Sequence, residues 1–150
     1  MKSASEIARY IVKFFQERED PVTNLKLQKL LYYVQGWNLA IFGEPAFRES
    51  IEAWVHGPVV PGVYQEYREC RWNPIVREVA EVDLGGPLKS LVDEVLDVYG
   101  TDTGWDLERR THRETPWLNA RGDLPLDRES HNVISVEVMN RFFRDLAKNA

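Results

Sequence analysis

Residues 25–42, reading Leu-Lys-Leu-Gln-Lys-Leu-Leu-Tyr-Tyr-Val-Gln-Gly-Trp-Asn-Leu-Ala-Ile-Phe, place apolar side chains around nearly the whole circumference of a helix. Leu27, Leu30, Leu31, Val34, Trp37 and Ile41 recur at helical spacing, and Tyr32, Tyr33, Leu39 and Ala40 add a second stripe on the far side. A helix of this kind is buried by its neighbours, so the rest of the chain is expected to pack around it. Thr23 or Asn24 supplies the N-cap, and Gly43 the left-handed residue past the C-terminus. The polar positions Lys26, Gln28, Lys29, Gln35 and Asn38 must reach solvent or find partners, because an unpaired buried amide costs about 1–3 kcal/mol. For Gln28, Lys29, Gln35 and Asn38 the expected partners are buried backbone groups at the joints with segments 52–58 and 111–117; the alternative is that they line an open groove.

A chain of 150 residues is read as a single domain over 1–150, long enough to bury a core without a disulfide or structural metal. Cys70 is the lone cysteine, which rules out an intramolecular disulfide and a cysteine-based zinc site, and fits a reducing compartment. No stretch approaches the roughly 18 apolar residues of a membrane span, and the start lacks a signal-peptide pattern; a cytoplasmic protein is expected. With 19 basic against 24 acidic residues the net charge is −5, its signs interspersed, which argues against a dedicated nucleic-acid binder.

Taken in order, Ser3 and Glu6 have capping-box spacing ahead of Ile7, Tyr10, Ile11, Phe14 and Phe15, an amphipathic helix ended by Asp20-Pro21. Ser50–Trp54 reads as extended, running into a Gly57-Pro58 turn. Pro61 opens a helix carrying Val63, Tyr64 and Tyr67 and ending near Cys70. The β-branched alternation over Ile75–Val82 predicts a second extended segment, and so a small two-stranded element. Leu88, Leu91, Val92, Val95, Leu96 and Tyr99 form the next helix, closed by Gly100. Thr103 and Asp106 open a short helix through about His112, Thr115-Pro116 opens another stopped by Gly122, and 123–132 is a polar loop. Ser135 caps a last helix with Met139, Phe142, Phe143 and Leu146 facing inward. The expected fold is mainly α, built around the central helix, with a minor two-stranded β element.

Positive signals for catalysis are missing. His56, His112 and His131 lack ligand-like spacing to one another, and neither a nucleophile elbow nor a phosphate-binding glycine loop is present. His56 is read as a backbone partner at the Gly-Pro turn, His112 as a partner of the last carbonyls of its helix, and Cys70 as a small packed residue. Trp54, Trp105, Trp117, Tyr64 and Tyr67 are either core or exposed anchors for a protein partner, and composition does not choose.

The order Lys26-Leu-Gln-Lys-Leu-Leu-Tyr-Tyr33, Gly36-Trp37, Phe47, Ile51-Glu-Ala-Trp54, His56-Gly-Pro-Val-Val-Pro61, Val63-Tyr64, Tyr99-Gly100 and Thr111-His-Arg-Glu-Thr-Pro-Trp117 resembles the Panacea domain family, over nearly the whole chain. These are SocA-like antitoxins, among them phage-associated GepA-type proteins. The resemblance implies a bacterial or prophage antitoxin, not an enzyme and without a cofactor, that neutralises a cognate protein toxin by direct contact. In one branch the antitoxin resembles a proteolytic adaptor that delivers its toxin to a Clp-type protease, and this is the alternative. An enzyme using His56 or His112 is a second alternative. Relatives carry an added DNA-binding domain in some cases; no room for one precedes Ser3, so direct DNA binding is not expected. A homo-oligomer or a toxin–antitoxin hetero-oligomer fits the resemblance. Within the shared motifs, Lys26, Leu27, Gln28, Lys29, Leu30, Leu31, Tyr32, Trp37, Trp54, His56, Gly57, Pro58, His112 and Pro116 are assigned to the scaffold. Toxin contact is assigned to Tyr64, Glu66 and Tyr67 after Pro61, and to Arg109, Arg113 and Trp117.

Overall fold

The computed structural model describes residues 1–149. Helix α1 spans Ala4–Glu17 and α2 spans Asn24–Phe42; strands β1, Glu52–Trp54, and β2, Gly57–Val59, follow. Helix α3, Pro61–Glu66, runs into a 3-10 turn at Arg68–Cys70. Then come α4, Gly86–Tyr99, α5, Gly104–Thr111, α6, Thr115–Arg121, and α7, Val136–Lys148. The fold is mainly helical with one small antiparallel sheet among the described residues.

The helix starts follow from their caps. The Glu6 amide donates to Ser3 Oγ at 3.1 Å while the Ser3 amide donates to Glu6 Oε1 at 3.0 Å, a reciprocal capping box for α1. Thr23 accepts from the Lys26 amide at 3.2 Å, and Gly43 closes α2 at φ 74°, where a Cβ would be strained. Thr103 and Ser135 accept from the Asp106 and Val138 amides to open α5 and α7.

Helix α2 lies at the centre, touching α1, α3, α4, α5, α7 and β2. Leu27, Leu30, Leu31, Tyr32, Tyr33 and Val34 are fully buried along it, as the all-round apolar pattern requires. Against it α1 packs Ile7, Ile11 and Phe15, α4 packs Val92 and Leu96, and α7 packs Met139 and Phe143. The approach of α7 depends on Gly36, where an added Cβ would sit 2.1 Å from an edge atom of the Phe143 ring. The last turn of α2 departs from the expected burial: Ile41 is 59% exposed and Phe42 47%.

Strand β1 finds its partner immediately downstream, not in Ile75–Val82 as the alternation suggested. Glu52 pairs with Val59, Ala53 with Pro58 and Trp54 with Gly57, leaving Val55 and His56 as the hairpin turn. Pro58 is tolerated because Ala53 directs its backbone away from it: the Ala53 amide donates to Asn132 O at 2.8 Å, and its carbonyl accepts from Arg121. The pair therefore needs no proline donor. Residues 75–82 run irregularly instead, held by the Ile75 amide on Val22 O and by Gln16 Nε2 on the Ile75 and Arg77 carbonyls. Leu146, expected inside, is 39% exposed, because α7 meets α2 chiefly through Met139 and Phe143.

Replacing Gly36 by Ala is expected to destabilise the fold by about 1–3 kcal/mol or more, as for overpacked cores. Gly62→Ala, in the open on α3, is expected to be neutral or to stabilise by up to about 1 kcal/mol. Urea denaturation of the two variants measures the contrast; equal effects would contradict the close α2–α7 approach.

Candidate functional site

The motif residues converge on a polar layer inside the molecule. Lys29 on α2 is fully buried, and its Nζ donates to Pro58 O of β2 at 3.1 Å. Gly57 makes room for it: a Cβ there would lie 2.5 Å from Lys29 Cε and 3.0 Å from Thr111 Oγ1, at a φ of +107° that favours glycine. Burial pushes the Lys29 ammonium pKa down to about 7, partly offset by the carboxylate of Glu108. Glu108 itself is buried on α5; its Oε2 faces His56 Nδ1 at 3.1 Å and its carbonyl accepts from Thr111 Oγ1 at 2.8 Å. A lysine titrating near neutrality can act as a nucleophile or base elsewhere. Here its ammonium is sealed from solvent and serves as a donor to β2.

A second centre forms at Glu114, the residue ahead of α6. Tyr32 and Tyr33, consecutive on α2, donate to its two carboxylate oxygens at 2.9 and 3.1 Å. Burial raises the Glu114 pKa to about 7 against the opposing pull of the two tyrosine hydroxyls. Tyr33 also stacks on Tyr99 of α4, with centroids 3.9 Å apart, and Trp37 Nε1 donates to Tyr99 Oη at 2.9 Å. On α6, Trp117 Nε1 donates to Trp54 O at 2.8 Å, and the buried Arg121 reaches Ala53, Pro125 and Arg128 carbonyls, tying α6 to β1 and to the following loop.

The remaining polar positions of α2 also meet backbone. Gln28 accepts from the Val60 amide at 2.9 Å and donates to Asn24 Oδ1, which lets Asn24 Nδ2 donate to Tyr64 O. Gln35 accepts from the Ala46 amide at 2.7 Å and donates to Phe47 O, while Asn38 donates to Glu44 O. Lys26 Nζ donates to Gly100 O at 2.6 Å. Lys29 thus meets the 52–58 segment as expected, whereas Gln28 reaches Val60 just beyond it, Gln35 and Asn38 serve the turn after α2, and none of the four bonds the backbone of 111–117.

The histidines differ from expectation in their partners. His56 meets the Glu108 carboxylate, not turn backbone. His112 caps α5 through its amide, but its ring stacks on Trp117, centroids 4.2 Å apart, and burial lowers its pKa. Among the residues assigned to toxin contact, Glu66, Arg109 and Arg113 are exposed and Tyr64 is half-buried, its ring edge-on to Trp54 at 5.0 Å. Tyr67 and Trp117 are 1% and 0% exposed, so neither presents a ring to a partner in this conformation. Both supply core to short elements that have few other large side chains. Glu108, Glu114, Thr111 and Arg121 are the polar residues that sequence reasoning did not single out. For Glu108 the signal was its spacing from Thr111 and His112 on one helix face. Among the described residues no three His, Cys, Asp or Glu side chains gather as a metal site, and no helix is long and apolar enough to cross a membrane.

The two buried charges act on stability with opposite signs. Glu114 has a raised folded pKa, so its contribution is intact at low pH and is lost as pH rises from about 4.5 to about 7. Lys29 has a depressed one, so its burial penalty is relieved as pH rises from about 7 to about 10.5. Each proton carries a slope of at most about 1.4 kcal/mol per pH unit. Relative to the parent, Glu114→Gln is expected to remove the falling limb below pH 7, and Lys29→Met the rising limb above it, in denaturant melts across pH 4–10. Unchanged profiles would contradict the burial of these charges.

The sequence profile described as antitoxin SocA-like, Panacea domain, matches residues 27–118, more than half of the chain. A protein named Antitoxin SocA from Caulobacter vibrioides (strain NA1000 / CB15N) is 49% identical over 77 residues, which take in 51% of this chain and 41% of that protein. The chain therefore spans less than half the length of this relative. No solved structure matches the chain. The matched span runs from Leu27 to Leu118, in the first half of α6, the stretch that holds Gln28, Lys29, Glu108 and Glu114, and the chain belongs to the antitoxin SocA-like, Panacea domain family.

Proposed function

We propose that this chain is a non-enzymatic antitoxin that neutralises a protein toxin by direct contact. The observation that carries the reading is how the family-matched residues are used. Lys29, Gln28, Tyr32, Glu114 and Trp117 are buried and spend their polar groups on internal partners. Such residues build a scaffold, and partner recognition then falls to side chains on its outside. Glu66, Arg109 and Arg113, with the free edge of Tyr64, are the contacts proposed from the motif-bearing elements, since arginine and tyrosine dominate protein–protein hot spots.

Co-expression with the product of the neighbouring gene tests the reading. Expected are restored growth of a host that the neighbour alone arrests, and a complex that survives gel filtration. The absence of both rescue and a complex would overturn it. Rescue that disappears in a Clp-deficient host would replace occlusion by delivery to a protease. In the complex, joint alanine replacement of Glu66, Arg109 and Arg113 is expected to weaken binding about tenfold, roughly 1.4 kcal/mol, with the melting temperature unchanged. Unaltered affinity would remove these residues from the interface.

A further inference from the structure

The exposed end of α2 and the outer face of α4 enclose a groove of about 350 Å³. Leu91 and Val95 form its floor at 6% and 4% exposure, and Ile41 and Val98 its walls at 59% and 57%. Trp37 and Tyr99 close one side, and their polar tips are already joined to each other at 2.9 Å, so the surface they offer is apolar. Among the lining residues the one carboxylate is Glu94. Asp97 stands one turn along α4, and neither acid has an ion-pair partner among the described residues. Glu94 and Asp97 also line the adjoining cleft, where with Glu17, Glu81 and Asp93 they outnumber Lys13, Arg18 and Lys89, and Lys89 is already paired with Asp93.

We propose that this groove receives a basic amphipathic helix of the partner, an inference that rests on the antitoxin reading. Leu91, Val95 and Val98 are spaced i, i+4, i+7 and run for about 10 Å, the span of two turns of a docked helix. Apolar anchors at matching intervals fill the groove, in the manner of helix-in-groove recognition. The acidic rim selects Lys or Arg beside those anchors and disfavours acids. The same rim argues against a second copy of this chain as occupant. A face-to-face pair would bring the Glu94 and Asp97 carboxylates of both molecules together.

The test uses the full chain with two synthetic 15-residue helical peptides, each with leucines at i, i+4 and i+7, one flanked by lysines and one by glutamates. Calorimetric titration is expected to show the lysine peptide binding at least tenfold more tightly. Ile41→Ser with Val98→Ser is expected to abolish that difference, and Glu94→Lys with Asp97→Lys to reverse it. All four positions are on the surface or rim, and unchanged melting temperatures establish that the variants are folded. Equal binding of both peptides, or binding insensitive to Ile41→Ser/Val98→Ser, overturns the groove as a basic-helix site. So does concentration-dependent dimerisation of the parent chain that the same pair of serines abolishes. Binding of the neighbouring gene's product is measured in parallel. Its loss in the serine variant supports the groove, and its persistence overturns the groove while sparing the antitoxin reading. If the parent chain does not bind that product at all, the antitoxin reading fails and the peptides still decide the groove.

Discussion

Hydrogen bonds from the buried polar side chains of α2 to backbone outside any helix hold the rest of the molecule in place. A central helix satisfies its own backbone, but the short elements and turns around it do not. Strand β2 leaves Pro58 O facing inward, the start of α3 leaves the Val60 amide, and the turn after α2 leaves Glu44 O and the Ala46 and Phe47 groups. Each would cost about 1–3 kcal/mol if stranded. Lys29, Gln28, Asn38 and Gln35 reach them, so one helix carries both the apolar core and the polar ties.

That arrangement explains why strands and helices of three to eight residues are stable here. None buries enough surface to stand alone, and three of the five are pinned by side chains of α2: α3 by Gln28 and Asn24, β2 by Lys29, α6 by the pair Tyr32 and Tyr33 through Glu114. The cost appears as electrostatics, with an ammonium and a carboxyl both shifted to about 7. These ties lie inside the molecule and leave most exterior side chains unengaged.

Much of the helical framework was legible in the sequence because its signals are local. Ser3, Thr23, Thr103 and Ser135 cap as their positions predict, and the all-round apolar pattern of 25–42 correctly demands a central place. What escaped depends on tertiary context. The partner of β1 could not be chosen by alternation, because Gly57-Pro58 reads as a turn until Asn132 and Arg121 take up Ala53 and free proline from donating. Tyr67 and Trp117 looked equally fit for core or contact, and only packing decided. Glu114 stood inside a recognised motif, yet nothing local says that two tyrosines 80-odd residues away converge on it.

Amide hydrogen exchange measures the ties of α2 one at a time. In the parent chain the Val60 and Ala46 amides, outside the body of any helix, are expected to exchange as slowly as those in the middle of α2. In Gln28→Met the Val60 amide loses that protection and Ala46 keeps it, and in Gln35→Met the pattern reverses. Retained protection of both amides in both variants would contradict the central role given to these side chains.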